Sequence, residues 1–200
     1  MSGPLLNLSE YESFACSNLP KMATSYYSSG ANDMLTLKDN REAFNRLVLK
    51  PNILVNGGVD SIDLSTSMLG DHVSMPICIA PTAMQKMAHP DGELATVRAA
   101  STIGTLMALS SMTTCSLEDV SVEAKKGPKW FQLYVFKDKS ITLDLITRAE
   151  LAGYSVLAIT VDTPLLGRRE SDIANQFTLP THLQLDNFTH IRDVRTTAGI

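Results

Sequence analysis

Two hundred residues suffice for one domain that buries roughly 70% of its unfolded surface. A hydrophobic share of 44% against 19% charged residues describes an ordinary folded chain, neither disordered nor fibrous. A net charge of −4 and a pI near 5.5 argue against nucleic acid or an anionic membrane surface as partner, and no apolar run approaches the ~20 residues that cross a bilayer.

Residues 1–7 lack the charged and apolar stretches of a secretory leader. Ser9 is placed to cap a helix running to about Leu19, with Leu8 as its hydrophobic staple and Pro20 closing it. A second short helical stretch carries Tyr26 and Tyr27 and ends near Gly30, and a third runs over 37–46. Residues 1–75 thus read as a small helical N-terminal cap and lead-in, with no separate heme or nucleotide domain.

From residue 77 a rhythm begins. Short apolar runs start near Ile77, Leu106, Trp130 and Val156, spaced by 29, 24 and 26 residues, the length of one βα unit. Segments 91–103, 116–126 and 139–152 have helical spacing, and Ser116 opens the second with a capping pattern. Gly104, Gly127 and Gly153 stand where helix C-cap glycines are expected. Continuous apolar strands alternating with helices predict an α/β fold with a parallel sheet over 76–164. Periodicity alone fits an open doubly wound sheet or a closed barrel; polar residues at successive strand ends favour the barrel. Residues 165–200 are polar, show no strand, and read as the start of a long loop of the kind that forms a lid or binding surface.

Cys16, Cys78 and Cys115 are odd in number, widely spaced and without a CxxC pair, so neither a disulfide framework nor a zinc site is expected. His72, His89, His182 and His190 show no ligand spacing and read as surface or loop residues. No metal site is expected.

The strand ends carry the candidate chemistry: Pro81-Thr82-Ala83-Met84, Ser110-Ser111, Gln132 with Tyr134, and Thr160 with Asp162. Hydroxyls and a side-chain amide can both donate and accept, which suits the polar edge of a flat ring such as a flavin. Serine and threonine at strand ends are common, and plainer readings stand beside this one. Ser111, Asp162 and Thr163 can cap helices or close turns. Met84, Met87 and Met107 read as core filler, Tyr27 as packing, and Arg168-Arg169 as a solvated pair.

The stretch from Ser74 through Glu93, with Trp130-Phe131-Gln132-Leu133-Tyr134, Thr160-Val161-Asp162-Thr163-Pro164 and Gly167-Arg168-Arg169, resembles the FMN-dependent 2-hydroxy-acid oxidase and dehydrogenase family, especially its glycolate oxidase branch. The resemblance spans nearly the whole chain and implies the first half of a (β/α)8 TIM barrel. It implies FMN as cofactor, touched by the backbone of Pro81, Thr82 and Ala83 and by Ser110, Gln132 and Thr160. It implies substrate binding by Tyr26, Tyr134 and Arg169. The implied reaction is oxidation of (S)-2-hydroxy acids such as glycolate to 2-oxo acids, with oxygen as acceptor giving hydrogen peroxide.

Two departures follow from the same resemblance. Met112 stands where glycolate-oxidising relatives usually carry tryptophan, so the pocket wall is reshaped. The family's catalytic histidine belongs beyond Ile200, and none of the four histidines here stands in its context, so the 200-residue form is expected not to turn over alone. The other reading is a non-catalytic truncated paralogue or assembly partner of a full-length relative. A homotetramer is implied for the full-length form, and peroxisomal localisation if eukaryotic, although Thr197-Ala198-Gly199-Ile200 is not an address of the Ser-Lys-Leu type. In a prokaryote the cytoplasm is expected.

Overall fold

The computed structural model describes residues 4–53, 62–125 and 127–191. The chain divides into two units, Met1–Gly57 with Leu165–Thr178, and Gly58–Pro164 with Leu179–Ile200. Thr197 to Ile200 and the Lys126 end of the predicted 116–126 helix lie outside the described residues.

In the first unit, helix α1 spans Leu8–Asn18. Its cap is Asn7, not Ser9: the Asn7 side chain accepts from Glu10 N and donates to Glu10 Oε1, both at 3.0 Å. Glu10, three residues after the cap, completes a reciprocal arrangement and also accepts from Leu6 N at 2.8 Å. Leu8 is consequently the first helical residue and not a staple, and it lies exposed. Helix α2 covers Lys21–Ser28, as expected around Tyr26 and Tyr27. Helix α3 covers Leu35–Glu42 and continues as a 3₁₀ turn over Ala43–Asn45, beginning two residues earlier than predicted.

The second unit opens on a feature the sequence does not announce. Strands β1 (Thr66–Met68) and β2 (Asp71–Val73) form an antiparallel hairpin across Leu69-Gly70. Asp71 Oδ2 accepts from Trp130 Nε1 at 2.8 Å and from Ser155 Oγ at 2.6 Å. One carboxylate oxygen thus clamps the hairpin to the starting ends of two later strands.

Those strands are β4 (Lys129–Leu133) and β5 (Val156–Ile159); with β3 (Met107–Leu109) they make a parallel sheet in the order β3-β4-β5. The run near Ile77 contributes only a bridge, Ile79 to Met107, where Ile79 N donates to Leu106 O and Ala108 N to Ile79 O. Between the strands lie α4 (Gly92–Ile103), α5 (Leu117–Ala124) and α6 (Lys139–Leu151), matching the three predicted helices. Ser116 caps α5 as expected, accepting from Asp119 N at 3.0 Å. Met107, Leu109, Phe131 and Leu133 are buried against Val97, Val120, Leu145 and Ala149 of the helices, which forms one core. Apolar burial on this scale supplies the main favourable term in folding.

Gly104 closes α4 with φ +80°, the left-handed conformation its position required. Gly127 does not have this role. Lys125 takes the positive φ there, +53°, while a Cβ on Gly127 would meet Ser101 Oγ at 2.6 Å. Glycine is there for close approach.

The stretch after Pro164 holds helix α7 (Glu170–Ala174) in the first unit and a 3₁₀ turn (Asp186–Phe188) in the second, with no strand among the described residues. All four histidines are exposed, His72 on a strand, and Cys16, Cys78 and Cys115 are free thiols, Cys115 buried. No His, Cys, Asp or Glu cluster suited to a metal occurs among the described residues, and none of their helices is long and apolar enough to cross a membrane.

Replacing Asp71 with alanine leaves the single tryptophan's N–H and the Ser155 hydroxyl without this partner. The Asp71→Ala chain should be less stable by about 1–3 kcal/mol in denaturant unfolding, with the Trp130 emission moved to longer wavelength.

Candidate functional site

Parallel strands end in the same direction, so the residues following β3, β4 and β5 gather at one end of the sheet. The centre of that end is Gln132, the fourth residue of β4, only 3% exposed. Its Oε1 accepts from Ser111 N at 3.1 Å and from Ser110 Oγ at 3.5 Å. Its Nε2 donates to Thr160 Oγ1 at 2.8 Å. Ser111 Oγ donates to the Gln132 carbonyl at 2.6 Å. Three successive strand ends are thereby joined through one side-chain amide. A buried polar group must find such partners or destabilise the fold.

Ser110 also shapes the turn that follows it, since its Oγ accepts from Met112 N at 3.1 Å and folds the chain back after β3. Ser111 is neither a helix cap nor a turn closer; both its amide and its hydroxyl go to Gln132. Met112 and Tyr134 are half-buried against the core. Burial, and then the Asp162 carboxylate, push the Tyr134 phenol above its ordinary value, so at neutral pH it keeps its proton and can donate.

The loop 81–88 is held from below. Pro81 and Thr82 are exposed and Ala83 half-buried. Met84 adopts a left-handed backbone, φ +56°, and donates its N–H to Met112 O at 2.9 Å. Glu93, fully buried in the first turn of α4, accepts from Gln85 N at 2.9 Å, Thr114 N at 3.0 Å and Thr114 Oγ1 at 2.8 Å. One carboxylate therefore pins the loop after Ile79 to the loop after β3. Beside it the Cys115 thiol is pushed up to about 11 by burial and by Glu93, which keeps it protonated and unreactive. Met107 and Met87 are buried core residues, as their plainer reading held.

A second cluster lies in the first unit. The Arg169 guanidinium sits 5.0 Å from the centre of the Tyr26 ring. Its Nε donates to Asp172 Oδ2 at 2.5 Å, and its Nη2 to the Tyr26 carbonyl at 2.5 Å and to Ser29 Oγ at 3.3 Å. Phe177 stacks on Tyr26 at 4.9 Å, 17° from parallel, and Tyr27 meets Tyr26 edge-on at 5.3 Å. The solvated reading of the arginine pair holds for Arg168, whose side chain is exposed, and fails for Arg169. A planar cation held by a ring and a carboxylate keeps its fork in one orientation.

The candidate residues thus fall into two groups: Tyr26 and Arg169 in the first unit; Pro81, Thr82, Ala83, Ser110, Gln132, Tyr134 and Thr160 in the second. The second group is a rim of hydroxyl, amide and hydroxyl beside a backbone loop. Its chemistry suits the edge of a flavin, where donors and acceptors alternate. Glu93, Asn187 and Asp71 were not singled out by sequence. Each acts through partners far along the chain, and no local pattern marks such pairs.

Residues 15–198 match the family described as FMN-dependent dehydrogenase. Glycolate oxidase 3 of Oryza sativa subsp. indica is 58% identical over 184 residues, 92% of this chain and 49% of the relative. Glycolate oxidase 3 of Arabidopsis thaliana is 57% identical over 186 residues, again 92% and 49%. Among solved structures, mandelate oxidase with (S)-4-hydroxymandelic acid superposes with TM-score 0.88 at 32% identity, over 98% of this chain and 53% of that one. A soluble mutant of the membrane-associated (S)-mandelate dehydrogenase from Pseudomonas putida gives TM-score 0.87 at 36% identity, over 94% and 53%. The chain spans about half the length of the curated relatives it matches. These neighbours are TIM-barrel enzymes, and the βα units here correspond to half of such a barrel with helices before it. On the sequence match and the superposition together, the chain belongs to the FMN-dependent dehydrogenase family.

Proposed function

We propose that residues 76–164 supply the first four strands and the flavin-facing rim of an FMN-dependent (S)-2-hydroxy-acid oxidase, with 1–75 as cap and lead-in and 165–200 opening its active-site loop. The observation that carries this is the oriented Gln132 amide between Ser110 and Thr160. In this reading Ser110, Gln132 and Thr160 hold the polar edge of FMN, and the backbone of Pro81, Thr82 and Ala83 lies along the ring. Bound FMN would supply the two-electron acceptor as the alcohol carbon of a 2-hydroxy acid such as glycolate becomes a ketone.

The chain's own residues bind and orient. Arg169 offers a permanently charged fork for the substrate carboxylate. Tyr26 and Tyr134 contribute phenols that fix the carboxylate and the substrate hydroxyl, and such positioning can supply several kcal/mol of barrier lowering. Met112 lines a wall that differs from one built by tryptophan. The proton acceptor is assigned outside the described residues: His89 accepts from Asp91 N, His190 pairs with Asp144, and both are exposed. Oxygen is the proposed electron acceptor, giving hydrogen peroxide. A peroxisomal, homotetrameric full-length enzyme belongs to the same proposal.

A non-catalytic assembly partner is the second reading. Leu157 and Ile159 of the outer strand β5 are 38% and 54% exposed, and a parallel strand normally has both faces covered.

Titrating the full chain with FMN should quench flavin fluorescence saturably, and Thr160→Val should weaken binding about tenfold, the worth of one hydrogen bond at ~1.4 kcal/mol. Absent quenching would remove the cofactor assignment and leave the partner reading. Anaerobic addition of glycolate should leave the bound flavin oxidised in its absorption spectrum; bleaching would mean that the proton acceptor is among the residues present.

A further inference from the structure

The 3₁₀ turn over Asp186–Phe188 comes from the stretch that reads in sequence as polar loop, yet Asn187 and Phe188 are buried. Phe188 meets Phe136 edge-on at 5.6 Å and anchors the turn in the core. Asp186 N donates to Thr113 O at 3.1 Å, and the Asn187 carbonyl accepts from Arg148 Nη1 at 2.8 Å. The turn is therefore held in place by its neighbours before the Asn187 side chain is considered.

That side chain is fully buried and its partners fix its orientation. Asn187 Oδ1 accepts from Leu117 N at 2.9 Å, one of the N–H groups that the first turn of α5 leaves without a helical partner. The Nδ2 group must then face the loop after β3, where it donates to Ser111 O at 3.0 Å and Thr113 Oγ1 at 2.9 Å. Only a primary amide accepts at one end and donates twice at the other.

We propose that Asn187 is a positioning residue for the cofactor rim: by holding the Ser111 carbonyl it fixes the Ser111–Met112 peptide, whose Met112 N–H holds Ser110 Oγ, and so keeps the Ser110-Ser111 turn presenting its donors to Gln132 Oε1, which decides which end of the Gln132 amide faces Thr160. The two ends of a glutamine amide are nearly the same shape but opposite in hydrogen-bonding character. With Oε1 held by Ser111 N, the donor Nε2 must lie on the Thr160 side. If the Ser111–Met112 peptide turns, Met112 N–H leaves Ser110 Oγ, the Ser110-Ser111 turn no longer fixes its donors on Oε1, and the amide can flip. An acceptor then stands where a donor is required. The inference rests on the cofactor reading above for its functional consequence, and on hydrogen bonds alone for its structural one.

The test uses Asn187→Asp in the full chain, followed by amide NMR and by FMN titration. A carboxylate can still accept from Leu117 N but cannot donate to Ser111 O. The expected result is displaced Gln132 side-chain NH₂ resonances, at least tenfold faster exchange at Ser111 N–H, retained protection at Leu117 N–H, and FMN binding weakened about tenfold. Asn187→Ala should reproduce the first two changes and also expose Leu117 N–H, which serves if the aspartate variant folds poorly. Arg148→Gln removes the guanidinium contacts to Asn187 O, Glu118 and Asp144. It should lower the melting temperature while leaving the Gln132 resonances in place. Unchanged Gln132 and Ser111 signals in both Asn187 variants, or equal displacement of them by Arg148→Gln, would overturn the proposal. Should the unaltered chain bind no FMN, the cofactor reading fails, and the resonances still decide for or against the positioning role.

Discussion

A side-chain amide taken out of water has two protons and two lone pairs to satisfy, and the strand ends of this chain are arranged around one such group. Gln132 receives from the Ser110-Ser111 turn on one side and gives to Thr160 on the other. Because each partner follows a different strand, the bonds set the mutual register of β3, β4 and β5 where the chemistry would occur. A leucine of similar size would pack there and leave Ser111 N–H buried without a partner, a loss of about 1–3 kcal/mol. The polar rim is thus held by the same contacts that equip it.

A few charged groups act as fasteners in the same way. Glu93 is buried with three donors on its carboxylate, and joins two loops that share no strand. Asp71 does the same at the other end of the sheet, with an indole and a hydroxyl. In the first unit Arg169 is fixed by a ring face, a carboxylate and a main-chain carbonyl. In each case a group able to make several bonds at once replaces local secondary structure as the fastener, and removing it would strand more than one partner.

Much of this organisation was legible in the residues. The βα rhythm, the three helices between strands, the Ser116 cap and the Gly104 and Gly153 turns all follow local rules, and the structure contains them. The Ser9 cap failed because the sequence offers the same spacing twice, Ser9 with Glu12 and Asn7 with Glu10, and the helix uses the earlier pair. The hairpin over Thr66–Met68 and Asp71–Val73 escaped notice since strands of three residues give no periodicity, and Asp71 finds its partners 59 and 84 residues later. The Pro81-Thr82-Ala83 loop, Ser110, Gln132 and Thr160 were nameable from motifs, but their mutual bonds were not. Asn187 had no signal at all: it is an asparagine in a polar stretch, and only the fold shows that it is buried.

The long reach of Asn187 also bears on the order in which the molecule is made. Its bonds to Leu117 and Ser111 close loops of 70 and 76 residues, whereas α4, α5 and α6 are local elements. Long loops are entropically slow to close. On the ribosome the core of β3, β4 and their helices can therefore collapse while 186–188 is still being synthesised. The nascent chain would pass through a state with a formed sheet and an unlatched rim, and that interval is when its apolar strand β5 is most exposed to wrong partners.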